Sequence, residues 1–375
     1  MKLGGSSYTD SDYSRSVRTH TTSDTHVTRR AEQKAKSTGK LNPLVDPSAD
    51  GVIRRSKARF DKDEVTGLWR MGDMPKAIEV RLDTTGSMGG NVDIALKALP
   101  DTYGLCSKVL PNYELQLSIG IFGDIQDDFP LCRPKFASSA ERLVERLTLL
   151  VPERAGGDAP EDPHYGLFGA AYLTDTRIGK YGLKPYDFTI SDAPAREHVM
   201  SDQLERIFGK EVYEKVVENG HKVSADNLPS TQEIVQDLLT RTHAFFLEVG
   251  DHSRTYGFWT KVFGPEHVVR LPSVDYLPHV QAVIVGLTEG ALTLNSAKEF
   301  LTDNKVRESM AEEIVRSVAH IPIGAQAELM SKMKKPLPKK GDLFKDRFDT
   351  WPVDASSHTV ASEESDTKKD EIQWL

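Results

Sequence analysis

Asp83, Thr85 and Ser87 alternate along one short loop, in the stretch LDTTGSMGGN that runs from Leu82 to Asn91. A looped backbone can aim three oxygens at i, i+2 and i+4 toward a single point. Hard divalent cations take oxygen ligands, and magnesium in particular suits one or two carboxylates plus hydroxyls and retained waters. Gly86, Gly89 and Gly90 permit the tight turning that such convergence needs. Two more acid-bearing loops follow strand-like runs: FGDIQDD, with Asp124, Asp127 and Asp128, and SDAPAREH, with Asp192.

Competing chemistries lack their residues. No GxxxxGKS or GxxxxGKT phosphate loop occurs, and GSMGG has the wrong spacing for a dinucleotide fingerprint. No HExxH zinc motif and no GxSxG nucleophile elbow is present. Asp83, at a strand end, could serve as the aspartyl nucleophile of a metal-assisted phosphotransferase or phosphatase. The haloacid-dehalogenase pattern wants a second Asp two residues on, however, and this chain has Thr85 there. His164 and His198 fall beside the loops and read as surface residues.

The elements that must position these loops alternate between strand and helix. Lys76–Leu82 and Leu115–Phe122 read as strands, the second apolar enough to be central, and Phe129–Phe136 reads as a short edge strand. Val92, Leu96, Leu99 and Tyr103 recur at helical spacing. SSAERLVERLTLL predicts a helix opened by a capping box from Ser138 to Glu141, and Ser230 to Glu233 predicts another. A helix is expected around His164–Leu173, strands at Tyr186–Ile190, HAFFLEVG and HVVRLP, a helix over Leu277–Leu292, and a last helix from near Ser296. Such alternation predicts an α/β fold: a doubly wound, mostly parallel sheet with helices on both faces. Sheets of this kind bind ligands outside the carboxyl ends of their strands. All three acid-bearing loops fall at that edge.

DTTGSM resembles the DxSxS metal-ion-dependent adhesion site of von Willebrand factor type A domains, with Thr85 in place of the first serine. The resemblance extends to Gly156-Gly157-Asp158-Ala159-Pro160-Glu161 and to FTISDAPAREH, which look like the intracellular branch of that family. It covers about Lys76 to Leu292, with the order and spacing of the three elements kept. It implies a Rossmann-like fold and a bound Mg2+ or Mn2+. Thr85 and Ser87 would bind the ion directly, and Asp83 and Asp192 mainly through water. Where the family usually has a threonine, this chain has Asp158, read here as a ligand in preference to a loop residue that points away and leaves the position to water. The added charge would strengthen cation binding and weaken the ion's pull on an acidic partner. Asp124 and Glu161 are possible rim residues, although a solvated acidic turn is the preferred reading of FGDIQDD. The resemblance also implies a protein-binding adaptor or scaffold role, with an AAA+ ATPase or a larger assembly as partner.

Composition sets the remaining bounds. The chain has 375 residues, a formal net charge of −8 and an apolar fraction of 38%, with a pI near 5.8 and a mean hydropathy of −0.44. That acidity argues against general nucleic-acid binding. No apolar run approaches the ~20 residues that span a bilayer, so no membrane role is expected. Cys106 and Cys132 read as buried thiols, and with no signal-peptide pattern they place the chain in the cytoplasm, of a cell or of a virus-infected host. Residues 1–50 are too polar to bury a core and are expected to be disordered, 51–75 to be a strap or linker carrying Phe60, Leu68, Trp69 and Met71. The domain is placed at 76–292, with a helical extension over 293–337 and a second disordered tail over 338–375. That tail ends in Ile372, Trp374 and Leu375, a short docking motif or a segment that tucks back. Arg54, Arg55, Lys57 and Arg59, and later Lys332, Lys334, Lys335, Lys339 and Lys340, read as solvated linker charge. The insertion at about 194–229 predicts one or two amphipathic helices, either a lid beside Asp192 or a decoration packed on its own apolar face. A structural protein of a virus particle is a third functional option, suggested by the polar tails and the single-domain layout.

Overall fold

Nine residues, Pro75–Asp83, form a strand buried along its whole length, and the fold is arranged around it. The structure is a computed structural model and describes residues 27–41, 45, 52–57, 60–62, 65, 69–71, 74–156, 160–334 and 336–337. In chain order the strands are β1 (Arg54–Arg55), β2 (Phe60–Lys62), β3 (Trp69–Met71), β4 (Pro75–Asp83), β5 (Glu114–Phe122), β6 (Leu131–Cys132), β7 (Thr174–Asp175), β8 (Tyr186–Ser191), β9 (His243–Glu248) and β10 (Val268–Arg270). The helices are α1 (Val27–Thr38), α2 (Asn91–Ala98), α3 (Asp101–Val109), α4 (Ala140–Leu147), α5 (Pro163–Tyr172), α6 (Ser201–Phe208) and α7 (Val212–Glu218). They continue with α8 (Thr231–Arg241), α9 (Ser253–Phe263), α10 (Leu277–Glu289), α11 (Leu294–Asp303), α12 (Glu308–Ser317) and α13 (Ala325–Ser331).

The main sheet has the order β10-β9-β8-β4-β5-β6. All its pairings are parallel except β5 with β6. This is the doubly wound, mostly parallel α/β sheet expected from the sequence. The chain leaves β4 for β5 on one side and returns to β8 on the other, so the strand order reverses at β4. That reversal opens a crevice at the carboxyl edge, where ligands of such sheets sit.

The two faces of the sheet differ in chemistry. On one, Ile78, Val80, Leu82, Leu117, Ile119, Phe188 and Leu247 join α2, α3, α4 and α10 to α12 in a continuous apolar core. On the other, parallel register aligns Glu79 with Ser118 and Asp187, and Arg81 with Gly120 and Thr189. Here Arg81 forms a double hydrogen bond with Asp187 and donates to Thr189 Oγ1 at 2.9 Å. Glu79 contacts Arg54 and lies 3.3 Å from Arg81 and 3.5 Å from Arg133. Burial disfavours the Glu79 anion, but its three guanidinium neighbours outweigh this and hold the carboxyl down at about 2. Helix α5 covers this charged layer. A Cβ on Gly166 would fall 2.5 Å from Arg81 Cδ, and one on Gly169 2.4 Å from the Arg133 guanidinium.

Several sequence expectations are corrected. Val27–Thr38 is helical rather than structureless: Ala31 and Ala35, one turn apart, are buried, and Lys36 pairs with Glu32 at 2.6 Å. Arg54 is no linker charge but a buried member of the ion layer, donating to Ser118 Oγ at 2.8 Å. Arg55 and Lys57 remain exposed. Helix α4 is capped by Ser139, which accepts from the Arg142 amide, not by Ser138. The box at Ser230 and Glu233 forms as read, whereas α11 is capped by Thr293 with Ser296 rather than from Ser296. Both cysteines are free and buried. The expected tail over 338–375, with Ile372, Trp374 and Leu375, lies outside the described residues, as do Arg59, Leu68, Lys335 and the side chains of Phe60, Trp69 and Met71. Among the described residues no helix is long and apolar enough to cross a membrane.

Candidate metal centre at the carboxyl edge of the sheet

β4 and β8 are neighbours in the sheet, so the residues that follow them meet. Ser87 Oγ donates to Asp192 Oδ1 at 2.8 Å across the gap between the two loops. Thr85 Oγ1 lies 3.1 Å from Ser87 Oγ and donates to Asp83 Oδ1 at 2.7 Å. Carboxylate, two hydroxyls and carboxylate thus form one unbroken row. Thr85 also gives its backbone amide to Asp83 Oδ1 at 2.8 Å. The other oxygen, Oδ2, accepts from Ser191 Oγ at 2.5 Å.

Burial grades along the row. Asp83 and Thr85 are sealed from solvent, whereas Ser87 is exposed and Asp192 half-buried. Desolvation pushes the Asp83 carboxyl up to about 6 despite the bonds from Ser191 and Thr85, and the Asp192 charge adds to the rise. One helix, α9, anchors the second loop: Thr255 Oγ1 donates to the Asp192 carbonyl and Trp259 Nε1 to the Ala193 carbonyl, each at 2.9 Å.

A third loop completes the edge. Gly86 donates its amide to the Ala155 carbonyl at 3.2 Å. Gly156 has φ near 111°, a conformation suited to glycine. A Cβ there would stand 3.3 Å from Thr85 Cβ and 3.7 Å from Glu161 Oε1. Glu161 is buried at 3% exposure, not a rim residue. Its backbone is clamped to the Asp192 loop, its amide donating to the Pro194 carbonyl and its carbonyl accepting from the Arg196 amide. Burial first, then the charges of Asp83, Asp124, Asp162 and Asp192, push its carboxyl up to about 8. Asp158 lies outside the described residues, so its expected ligation has no structural account here.

FGDIQDD is not the solvated turn that was preferred. Asp124 and Asp127 are buried, and Asp128 alone of its aspartates is exposed. Asp124 Oδ1 accepts from the Gln126 amide at 2.7 Å. Asp127 accepts from the Asp124 amide at 3.0 Å, and burial beside Glu153 raises its carboxyl to about 6. His164 is likewise fully buried rather than on the surface, and desolvation depresses it to about 3, so the ring is neutral. His198 is exposed, as read.

Sequence reasoning missed Ser191 and Asp162. Ser191 is the last residue of β8, just before Asp192, and its inward register beside Asp83 follows only once β4 and β8 are known to pair. Asp162 ties the three loops together, accepting from the Ile125 amide at 2.9 Å and from Arg196 Nε at 3.0 Å. Its proximity to Glu161 in the sequence was the available signal. The insertion is packed rather than poised over the site: Leu204, Phe208, Val212 and Val216 are buried, and the Phe208 ring lies 6.0 Å from that of Phe168. Its Arg206 donates to the carbonyls of Ile125 and Asp127.

The donor set is all oxygen and mixes carboxylates with hydroxyls, which fits a hard divalent cation. Among the described residues no three histidine, cysteine, aspartate or glutamate side chains group closely enough to hold an ion by themselves.

No protein-family model matches the chain, and no curated protein sequence does. Solved structures similar to it include the pilus adhesin SpaC from Lactobacillus rhamnosus GG, at 12% identity and a TM-score of 0.38, over 66% of this chain and 34% of the adhesin. The von Willebrand factor domain of the type V pili tip protein Mfa5 from Porphyromonas gingivalis is another, at 12% identity and a TM-score of 0.36, over 57% of this chain and 94% of that domain. Proximal thread matrix protein 1 from the mussel byssus matches at 14% identity and a TM-score of 0.36, over 57% of this chain and 46% of its own. The chain therefore spans about a third of the adhesin's length and under half of the byssus protein's. The fold assignment rests on the strand order and pairing.

Proposed function

We propose that this chain is a cation-dependent protein-binding module, an adaptor or scaffold, with Mg2+ or Mn2+ held at the carboxyl edge of the sheet. The observation that carries the reading is the oxygen row Asp83–Thr85–Ser87–Asp192, drawn from two distant loops and ending in solvent at Ser87 and Asp192. Thr85 and Ser87 would bind the ion through their hydroxyls, with Asp83 and Asp192 supplying charge. Asp158 is proposed to add a further carboxylate. Ser191 and the Thr85 amide hold Asp83 in one orientation, which spares the site that ordering cost when it binds. Bound there, a divalent ion offers a partner protein an open coordination position at the exposed end of an acidic edge.

Phosphotransfer has less support. Asp83 is fully buried and both of its oxygens accept hydrogen bonds, so neither is free to attack phosphorus. Two buried free thiols suit the reducing cytoplasm, where we place the partner, an AAA+ ATPase or a larger assembly. Affinity capture from native cytoplasm, with and without chelator, tests the proposal. A specific partner should be retained by the wild type in Mg2+, and lost on chelation and in Asp83→Ala. Undiminished capture by Asp83→Ala in chelator would refute it.

A further inference from the structure

Glu161 shares with Asp124 and Asp127 a buried carboxylate oxygen that has no hydrogen-bond partner, and it borders Thr85 across Gly156. It is 3% exposed, and its Oε2 is buried with no hydrogen-bond partner. Leaving a carboxylate oxygen unpaired inside a protein is costly, and the group is not there by loose packing. Its backbone is held at both ends, amide to Pro194 carbonyl at 2.9 Å and carbonyl to Arg196 amide at 3.1 Å. The backbone of Glu161 therefore cannot leave the edge without breaking the bridge between its loop and the Asp192 loop. The missing side chain of Gly156 leaves a gap between Thr85 and Glu161 that a methyl group would fill, bordered by Thr85 Cβ at 3.3 Å and Glu161 Oε1 at 3.7 Å. A buried, unpaired carboxyl oxygen next to a row of cation-binding groups can be ionised there only against positive charge, or a proton donor, that a bound species brings.

We infer that Glu161 is a third carboxylate of the cation site, accepting a hydrogen bond from a water that the ion carries and fixing that water beside Thr85. This inference rests on the cation reading of the Asp83 edge. It assigns Glu161 a place behind the ion rather than contact with it, in keeping with carboxylates that do not close on one point unaided. Groups of this kind orient what binds the metal, and their loss typically weakens metal affinity ~10–100-fold. With Asp83, Asp192 and Glu161 ionised, one divalent cation leaves the site with a residual negative charge. A loaded site of that charge favours a neutral or basic group from the partner over a carboxylate.

The test is Mg2+ and Mn2+ titration calorimetry on the full chain, wild type and Glu161→Gln, with Asp83→Ala and the exposed Asp128→Asn alongside. Expected is a loss of about tenfold or more in affinity for Glu161→Gln, and less than about twofold for Asp128→Asn, whose charge is solvent-screened. Thermal melting gives a second readout with a change of sign. In chelator above about pH 8, where the buried carboxyl of the wild type must ionise, Glu161→Gln should melt at or above the wild type; in saturating Mg2+ at the same pH it should melt below it. Glu161→Leu, which also removes the charge from that space, serves if the glutamine variant does not fold. Affinity of Glu161→Gln within about twofold of wild type, or an equal loss in Asp128→Asn, overturns the inference. If the wild type binds and Asp83→Ala does not, that failure is confined to Glu161. If the wild type itself binds neither ion, the cation reading falls with it.

Discussion

Ser87 and Asp192 are 105 residues apart in the chain and share a hydrogen bond of 2.8 Å. The bond joins the loop after β4 to the loop after β8 and is the point at which the oxygen row crosses from one to the other. Without a cation, a hydroxyl proton holds the two loops together. With one, the same oxygens would turn to the ion.

Ser87→Ala removes the hydroxyl from the middle of that row while leaving both carboxylates. A cation that binds only the folded chain raises its stability by about 2.7 kcal/mol at a hundred times its Kd. Melting with and without excess Mg2+ should therefore give a clear upward shift for the wild type and little or none for Ser87→Ala. Since Ser87 is exposed, the variant should melt close to wild type in chelator. An unchanged Mg2+ shift in Ser87→Ala would remove Ser87 from the site.

The raised carboxyls predict how stability changes with pH. Asp83 titrates at about 6 and Glu161 at about 8 in the fold, against about 4 for free carboxyls. A carboxyl whose folded value lies above its unfolded one binds its proton more tightly when folded. Its contribution is complete below the unfolded value and is lost as pH rises through the folded one. In chelator the melting temperature should fall between about pH 5 and about pH 8.5, and Glu161→Gln should flatten the upper part of that fall. Saturating Mg2+ should reduce the slope, because the ion compensates the anions. A melting temperature that rises across this window in chelator contradicts the assignment.

The alternation of strands and helices was legible because buried parallel strands read as apolar runs, and Ile190-Ser191-Asp192 could be placed at a sheet edge for that reason. The pairing of β4 with β8 carried Asp192 to Ser87 as the motif spacing required. The polar face of the sheet was not legible. Arg54, Arg81 and Arg133 are far apart in sequence, and arginine is normally exposed, so only the three-dimensional register reveals that they share Glu79 and Asp187. Composition likewise misjudged FGDIQDD and His164. Charge and polarity predict solvent, but here main-chain amides and the packing of α5 keep these residues inside.

Gly169 lets α5 lie directly on Arg133. A Cβ there would meet guanidinium atoms at 2.4 to 2.9 Å, and Arg133 is itself held by a bond to Thr174 Oγ1 at 2.8 Å. Arg133 is buried beside Arg54 and Arg81, and desolvation brings it down to about 9, so it has little freedom to reposition its charge. Gly169→Ala should destabilise by about 1–3 kcal/mol, the range for overpacking a close-fitted core. Urea unfolding measures it. Gly90→Ala, whose added Cβ would meet nothing within 4 Å, is the control and should change little.

Asp187 is the partner that neutralises Arg81 on the buried polar face, and neither side chain reaches solvent. Burial opposes ionisation of both; at Arg81 the neighbouring carboxylates outweigh it and raise the guanidinium, whereas at Asp187 burial outweighs the Arg81 charge and its hydrogen bonds and leaves the carboxyl raised. Replacing one partner alone strands the other charge in the interior, a loss of about 3–5 kcal/mol in comparable buried pairs. Asp187→Asn should therefore lower the urea midpoint strongly. The double variant Asp187→Leu with Arg81→Met removes both charges, and should recover a large part of that loss because no uncompensated ion remains. Glu79 then has Arg54 and Arg133 as its counter-ions, so the remaining layer stays paired. A double variant as unstable as Asp187→Asn would mean that the pair acts through its shape and hydrogen bonds rather than through charge.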